Sequence, residues 1–437
     1  MQGLAWNRYR LWVTVLIAIG AFVVMATIAT VHILTASANV VFADTWSLIP
    51  LVGRMLVGHV GPTALWAGVR HNENREVLET FILYGSARLD HLNVQLVKVL
   101  GVVFVSVTLS ILVFAYCRWT RYKYSRVLLI FIPVAVLLFS LNQWENWLEE
   151  FNVVHFLSVT SAVLAFVAVE RSRPWLALVL FLVILASLSS AEGLVAWPVV
   201  IFQLAFRRQW GAAAVVAVTS LAFVSWYLAG LGQAGAPGFL LHHIVYSGHF
   251  GLVVLGNTVW GYFNNAPSIE MDTLGGGVLL AVCVWILIDF VRKVDRTSAE
   301  RLAVALTVFG LGVAALIVEG RAPAGLVAGA ASRYSTITMG AALGPYLYCA
   351  FREGADWARR VSFVCVLGMV ALGCCIGSWE EMRLGVARFE YFHHLQDILL
   401  SGRYSLRTLA PFDSPPNVTL AGIRTLQRLH LNIWAGR

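Results

Sequence analysis

The 437 residues are 59% hydrophobic and only 12% charged, with a mean hydropathy of +0.77, far from the charged fraction of about 25% usual in soluble domains. This composition excludes a water-soluble globular fold and suits helices that satisfy their own backbone in lipid. The formal net charge of +8 falls in short basic clusters between apolar runs and forms no continuous stripe, which points to membrane topology and not to nucleic acid.

Placing spans on apolar runs and checking the intervening loops for Arg and Lys predicts an all-α, polytopic transmembrane helical bundle of about 11–12 spans. The first run, Leu11–Leu34, exceeds the apolar region of about 7–15 residues in a signal peptide. It is therefore expected as an uncleaved first span with its N-terminus cytoplasmic. A first outer loop, 35–93, follows, with amphipathic surface helices. Val94–Cys117 then returns to Arg118, Arg121, Lys123 and Arg126, the strongest cytoplasmic marker.

Val127–Leu141 leads to a second outer loop, 142–152, and Val153–Val169 returns to Arg171 and Arg173. The next apolar stretch, Trp175–Phe206, has basic residues at both ends, which one full span would place on opposite sides. It is read as two short or re-entrant helices broken at Ser189–Gly193, a break that lipid tolerates only where it is buried or lines a cavity. Gly211–Leu231 reaches a third outer region, 232–272, with a partial helix at Leu252–Phe263. Thr273–Val291, Leu302–Val318, Tyr334–Phe351 and Val361–Gly377 complete the spans.

The transmembrane domain is thus expected over 1–377. Residues 378–437 are expected as an outer C-terminal cap, with helical patterns at Trp379–Leu400 and Leu420–Ile433 flanking Pro411, Pro415 and Pro416. The six cysteines fall in or at the ends of spans without metal-ligand spacing and read as small buried apolar residues. His242, His243 and His249 lack a carboxylate at ligand spacing, so no metal is assigned to them.

The polar residues that could carry chemistry gather in the outer loops. Asp44 precedes an aromatic-anchored amphipathic stretch, Trp46–Trp66. There its carboxylate suits either a general base near the membrane surface or a helix N-cap. His71-Asn72-Glu73-Asn74-Arg75 is a dense polar cluster in which Arg75, with Arg70 or His71, could neutralise a phosphate. A solvated loop is the alternative.

Gln143-Trp144-Glu145-Asn146-Trp147 offers indole faces with amide and carboxylate groups, the chemistry of a sugar-binding surface; Glu145 is the favoured acid and Gln143 and Trp144 are candidate contacts. Ser332-Arg333-Tyr334 opens a span, and a helix N-terminus favours anions. Arg333, with Tyr334 beside it, is a candidate phosphate ligand, and snorkelling is the alternative. Glu192, an acid between two apolar half-helices, stands out as an intramembrane ionisable group, or as a structural cap near the cytoplasmic surface.

Asp44-Thr45-Trp46, His71–Arg75, Gln143–Asn146 and Ser332-Arg333-Tyr334, with an acid soon after the first span and a long outer loop, resemble the GT-C class of integral-membrane glycosyltransferases. They also look like the corresponding stretches of a set of functionally uncharacterised bacterial membrane proteins. The resemblance implies an enzyme of the bacterial inner membrane with its C-terminus outside. Its donor would be a polyprenyl-phosphate-linked sugar, its acceptor a hydroxyl on a lipid or glycan, and its surroundings membrane lipids.

The resemblance further implies inverting transfer, with Asp44 as base, Glu73 or Glu145 as a second acid, and Arg75 and Arg333 on the departing phosphate. Many members carry paired acids in the first loop, whereas here Thr45 follows Asp44. A divalent metal therefore has no paired-acid motif behind it, and no cofactor is assigned. Two further function classes fit the sequence. One is a transporter or flippase of a lipid-linked or small polar substrate, suggested by the broken Trp175–Phe206 stretch and Glu192. The other is a non-catalytic partner in a cell-envelope complex, docking through its Trp-rich loops.

Overall fold

A computed structural model describes residues 2–61, 75–171, 174–229, 242–263, 266–352 and 357–436. The chain starts with α1 (Gln2–Ala36), then α2 (Thr45–Leu56), α3 (Val77–Asp90), α4 (Val94–Trp119) and α5 (Tyr124–Leu138). The short α6 (Trp144–Leu148) leads to α7 (Val153–Val169), α8 (Leu176–Ser189), α9 (Ala196–Phe206) and α10 (Trp210–Leu228). Next come α11 (Ile244–Asn257), α12 (Ile269–Arg292), α13 (Ser298–Arg321), α14 (Leu326–Gly329), α15 (Arg333–Thr338) and α16 (Gly340–Phe351). The long α17 (Trp357–Ser401), α18 (Leu406–Leu409) and α19 (Pro416–Arg428) complete the fold.

The one exception to an all-α fold among the described residues is a minimal antiparallel pair, Tyr262–Phe263 with Ala266–Pro267. Eight helices among the described residues are long and apolar enough to cross a bilayer, and the chain is a multi-pass membrane protein. Leu176–Ser189, Ala191–Phe206 and Ile244–Asn257 are apolar but shorter. The expected span at Tyr334–Phe351 is carried by α15 and α16, whose residues are nearly all buried in protein.

The stretch Trp175–Phe206 is indeed interrupted: α8 ends at Ser189, a 3-10 turn covers Ala191–Val195, and α9 runs back. Gly193 makes this turn, because a Cβ there would lie 2.1 Å from the Ala186 carbonyl oxygen. Ser158, in the second turn of α7, donates to that carbonyl at 3.0 Å, while Gln203 of α9 reaches the far end of α7 at Phe166. The break therefore lies at the Asn146 end of α7, opposite the basic loops.

Small residues let the central helices touch through their backbones, the packing mode available where lipid removes the hydrophobic drive. A Cβ on Gly310 of α13 would stand 2.2 Å from the Ala341 nitrogen of α16, and one on Gly276 of α12 would stand 1.9 Å from the Leu252 oxygen of α11. On the side of the basic loops, Arg301 grips Glu170 through both carboxylate oxygens at 2.8–3.1 Å.

At the opposite end the C-terminal segment closes over the first loop. Trp46 packs edge-on against Phe412 with centroids 5.8 Å apart, and Gly422 and Gly53 let α19 lie on α2. Asn432 ties the layers together: its amide nitrogen donates to Asn39 at 2.8 Å and to the Leu92 carbonyl at 2.9 Å. One helix, α17, carries the chain from Trp357 through position 377 to Ser401 without a break, so the two helical patterns expected on either side of Gly377 form a single rod.

Candidate functional site

Asp44 follows the last turn of α1 by a short extended segment and occupies the residue before α2. An N-cap role would have its carboxylate accept from the first helical amides; it makes no such bond, and the Asp44 carbonyl takes the Ser47 amide instead. Ala43 immediately before it has φ +46°, a left-handed conformation that costs a non-glycine residue about 1–2 kcal/mol. Its amide donates to the Phe412 carbonyl at 3.0 Å, so the C-terminal segment holds the turn that aims Asp44.

Beneath this turn lies a buried charge group assembled from distant segments. Glu150 accepts the Phe42 amide at 2.8 Å and faces Lys98 at 3.7 Å, both side chains being fully buried. Lys98 also reaches the Ala38 carbonyl and lies 5.1 Å from the Phe392 ring. Glu79 of α3 is buried beside them, and among the described residues neither of its oxygens has a hydrogen-bond partner. Burial, reinforced by the carboxylates of Glu76, Glu150 and Asp44, pushes the Glu79 carboxyl well above the ordinary glutamate range.

The second centre forms where loop 142–152 meets the N-terminus of α15. Glu145 accepts from the Ser332 hydroxyl at 3.0 Å, the Arg333 amide at 2.8 Å and the Arg333 guanidinium at 3.2 Å. One carboxylate thus caps the helix and orients the arginine, whose side chain stays 40% exposed. Asn146 donates to the Arg333 carbonyl and to Thr336, and its oxygen meets His155 Nδ1 at 3.2 Å. Gln143 is buried as a clasp, accepting from Thr336 and donating to the Leu138 carbonyl. Trp144 lies under the Arg388 guanidinium at 3.5 Å, and Tyr334 is buried below Arg333.

One loop joins the two centres, since Glu145 faces Arg333 while Glu150 faces the Asp44 turn. Glu149 lies between them: burial first, then the Glu145 carboxylate, raise its carboxyl well above the ordinary range, and it also feels Arg333 and Glu150. Glu192 approaches the same region from the α8–α9 break, as an electrostatic neighbour of His155, Tyr227 and Tyr334. The two half-helices meet at their ends remote from the basic loops, so Glu192 lies away from those loops.

Arg75 was expected on a phosphate, but its guanidinium is buried against the end of α10. It donates to the carbonyls of Tyr227 at 2.7 Å, Trp226 at 2.9 Å and Ala229 at 2.8 Å, and stacks 4.5 Å over the Trp226 ring. The reason is electrostatic: a helix C-terminus presents unpaired carbonyls that a cation satisfies. Of the expected phosphate ligands, Arg333 alone is shown with an exposed face. Arg70, His71 and Glu73 lie outside the described residues. No group of three or more metal-ligating side chains that could hold an ion occurs among the described residues.

In the sequence Glu145 is favoured over Glu150, and neither Glu79 nor His155 stands out. Lys98, a lone cation in the apolar run Val94–Cys117, was the available signal, since a buried ammonium in a span demands a partner.

No protein-family model matches the sequence, and no curated protein matches it. Among solved structures, the chain is similar to the crystal structure of ArnT from Cupriavidus metallidurans bound to undecaprenyl phosphate. The TM-score is 0.47 at 12% sequence identity, over 94% of this chain and 77% of that chain.

Proposed function

We propose that this protein is an inverting glycosyltransferase. It moves a sugar from a polyprenyl-phosphate-linked donor to a hydroxyl acceptor at the outer face of a bacterial inner membrane. The observation that carries the reading is that the single loop 142–152 joins the turn bearing Asp44, through Glu150 on the Phe42 amide, to an Arg333 that Glu145 orients and that stays partly exposed.

Asp44 takes the proton of the acceptor hydroxyl, whose oxygen attacks the anomeric carbon. The bond from that carbon to the phosphate oxygen breaks, and the electron pair leaves with the phosphate. Arg333 meets the charge that develops there, held in place by Glu145. A phosphate leaving group needs little general-acid help, so one carboxylate suffices. Arg75 contributes by fixing the end of α10.

The test is sugar transfer by the purified protein from a polyprenyl-phosphate donor. Asp44→Asn is expected to lower kcat by roughly 100-fold or more, and Arg333→Ala to lower kcat/KM while leaving the fold intact. Undiminished turnover in Asp44→Asn overturns the assigned base. A second reading, transport of a lipid-linked substrate, draws on the broken α8–α9 pair with Glu192 at its tip. It predicts substrate flux in proteoliposomes without chemical turnover.

A further inference from the structure

The segment between α1 and α2 is short and largely buried, and its fixed points come from three other parts of the chain. Gln95 of α4 donates to the Ser37 carbonyl at 2.9 Å, and Asn39 takes the Val94 amide at 2.9 Å. Lys98, one turn further along α4, reaches the Ala38 carbonyl at 3.4 Å. Glu150 Oε1 holds the Phe42 amide at 2.8 Å, and the Phe412 carbonyl holds the Ala43 amide at 3.0 Å. Asp44 follows directly.

Stability alone does not account for the pair Lys98–Glu150. Two charges leave water for a site where both side chains are fully buried, and the return is small. The nitrogen stands 3.7 Å from Glu150 Oε2, and that oxygen has no hydrogen-bond partner among the described residues. Buried pairs can often be replaced by apolar residues without loss of stability, whereas removing one partner strands the other. A backbone amide, moreover, needs only a neutral acceptor. What the charge adds is direction: attraction to Lys98 turns Oε2 one way and so keeps Oε1 on Phe42.

We propose that Glu150 is a positioning residue for Asp44, holding the turn two residues before it through the Phe42 amide, and that Lys98 fixes Glu150 in that orientation. The inference rests on the base assigned to Asp44 above and adds which buried groups place it.

Three variants test it in the full chain, by steady-state transfer from a polyprenyl-phosphate donor. Lys98→Met strands the Glu150 charge and is expected to lower kcat by up to roughly 100-fold, as a misplaced reacting group does. Lys98→Met with Glu150→Gln removes both charges but keeps an oxygen for the Phe42 amide. It is expected to recover kcat to within about threefold of the wild type, with a melting temperature no lower. Lys98→Met with Glu150→Leu is equally uncharged but offers no acceptor. Its kcat is expected to stay roughly tenfold or more below the wild type while its donor KM moves by less than about twofold. Should Lys98→Met alone fail to fold, the two double variants decide. Equal kcat in those two, or a loss confined to KM, overturns the inference and leaves the donor reading standing.

If the wild type transfers sugar from no donor, the assigned reaction fails, and amide hydrogen exchange judges the turn. Residues 38–46 exchanging roughly tenfold faster in the Leu double variant than in the Gln one, with exchange in α13 the same in both, supports the inference. Equal exchange of 38–46 in the two refutes it.

Discussion

At Glu79 a carboxyl group is held away from water with neither oxygen hydrogen-bonded and three other acids nearby. Its pKa in the folded protein is raised, so its contribution to stability follows a fixed sign. The neutral acid is tolerated and stability is fully present below the ordinary glutamate range; it is lost as pH rises through the raised value and the buried group must ionise. Thermal unfolding in detergent between about pH 5 and pH 9 should therefore show falling stability for the wild type. Glu79→Gln, which is neutral throughout, should flatten that slope and be the more stable protein at the alkaline end. Parallel slopes for the two proteins would show that Glu79 is not the group responsible.

Between helices, contact distance decides what a single methyl group does. Gly276 and Gly277 are adjacent on α12, but a Cβ on Gly276 would enter the Leu252 carbonyl of α11, whereas one on Gly277 meets nothing within 4 Å. Gly276→Ala should force α11 from α12 and cost about 1–3 kcal/mol, the range for overpacking. Gly277→Ala should be neutral or gain up to about 1 kcal/mol from helix propensity. The melting temperatures of the two variants test this, and equal effects would refute the backbone-contact packing.

How much of these elements could be read from sequence varied with the range of the interaction. The break at Ser189–Gly193 was legible because charge at both ends of Trp175–Phe206 allowed few other paths. Asp44, Glu145 and Arg333 were legible because each is a charged group in or beside an outer loop. The partnership of Glu150 with Lys98 and the Phe42 amide was not, since it joins three segments that only the fold brings together. Arg75 looked like a phosphate ligand because its true partners, the last carbonyls of α10, carry no side-chain signature.

Over the whole molecule, the proposed chemistry requires both centres to face the same side of the membrane, opposite the basic loops. The internal contacts agree with one common end: α2 lies against α19, Asn432 reaches the loops at Asn39 and Leu92, and loop 142–152 touches both centres. The clusters Arg118–Arg126 and Arg292–Arg301 lie at the other ends of their helices, where Tyr116 bonds to the Ala299 carbonyl at 3.0 Å. Basic loops tend to stay in the cytoplasm, and from this the direction is predicted. Single cysteines at His59, beyond α2, and at Lys123 test it on a background in which the native cysteines are replaced by serine or alanine. A membrane-impermeant maleimide should label His59→Cys in intact spheroplasts and Lys123→Cys only after permeabilisation. The reverse pattern would put Asp44 and Arg333 on the cytoplasmic side and remove the outer-face acceptor from the proposed reaction, while label at both positions in sealed membranes would refute any single orientation.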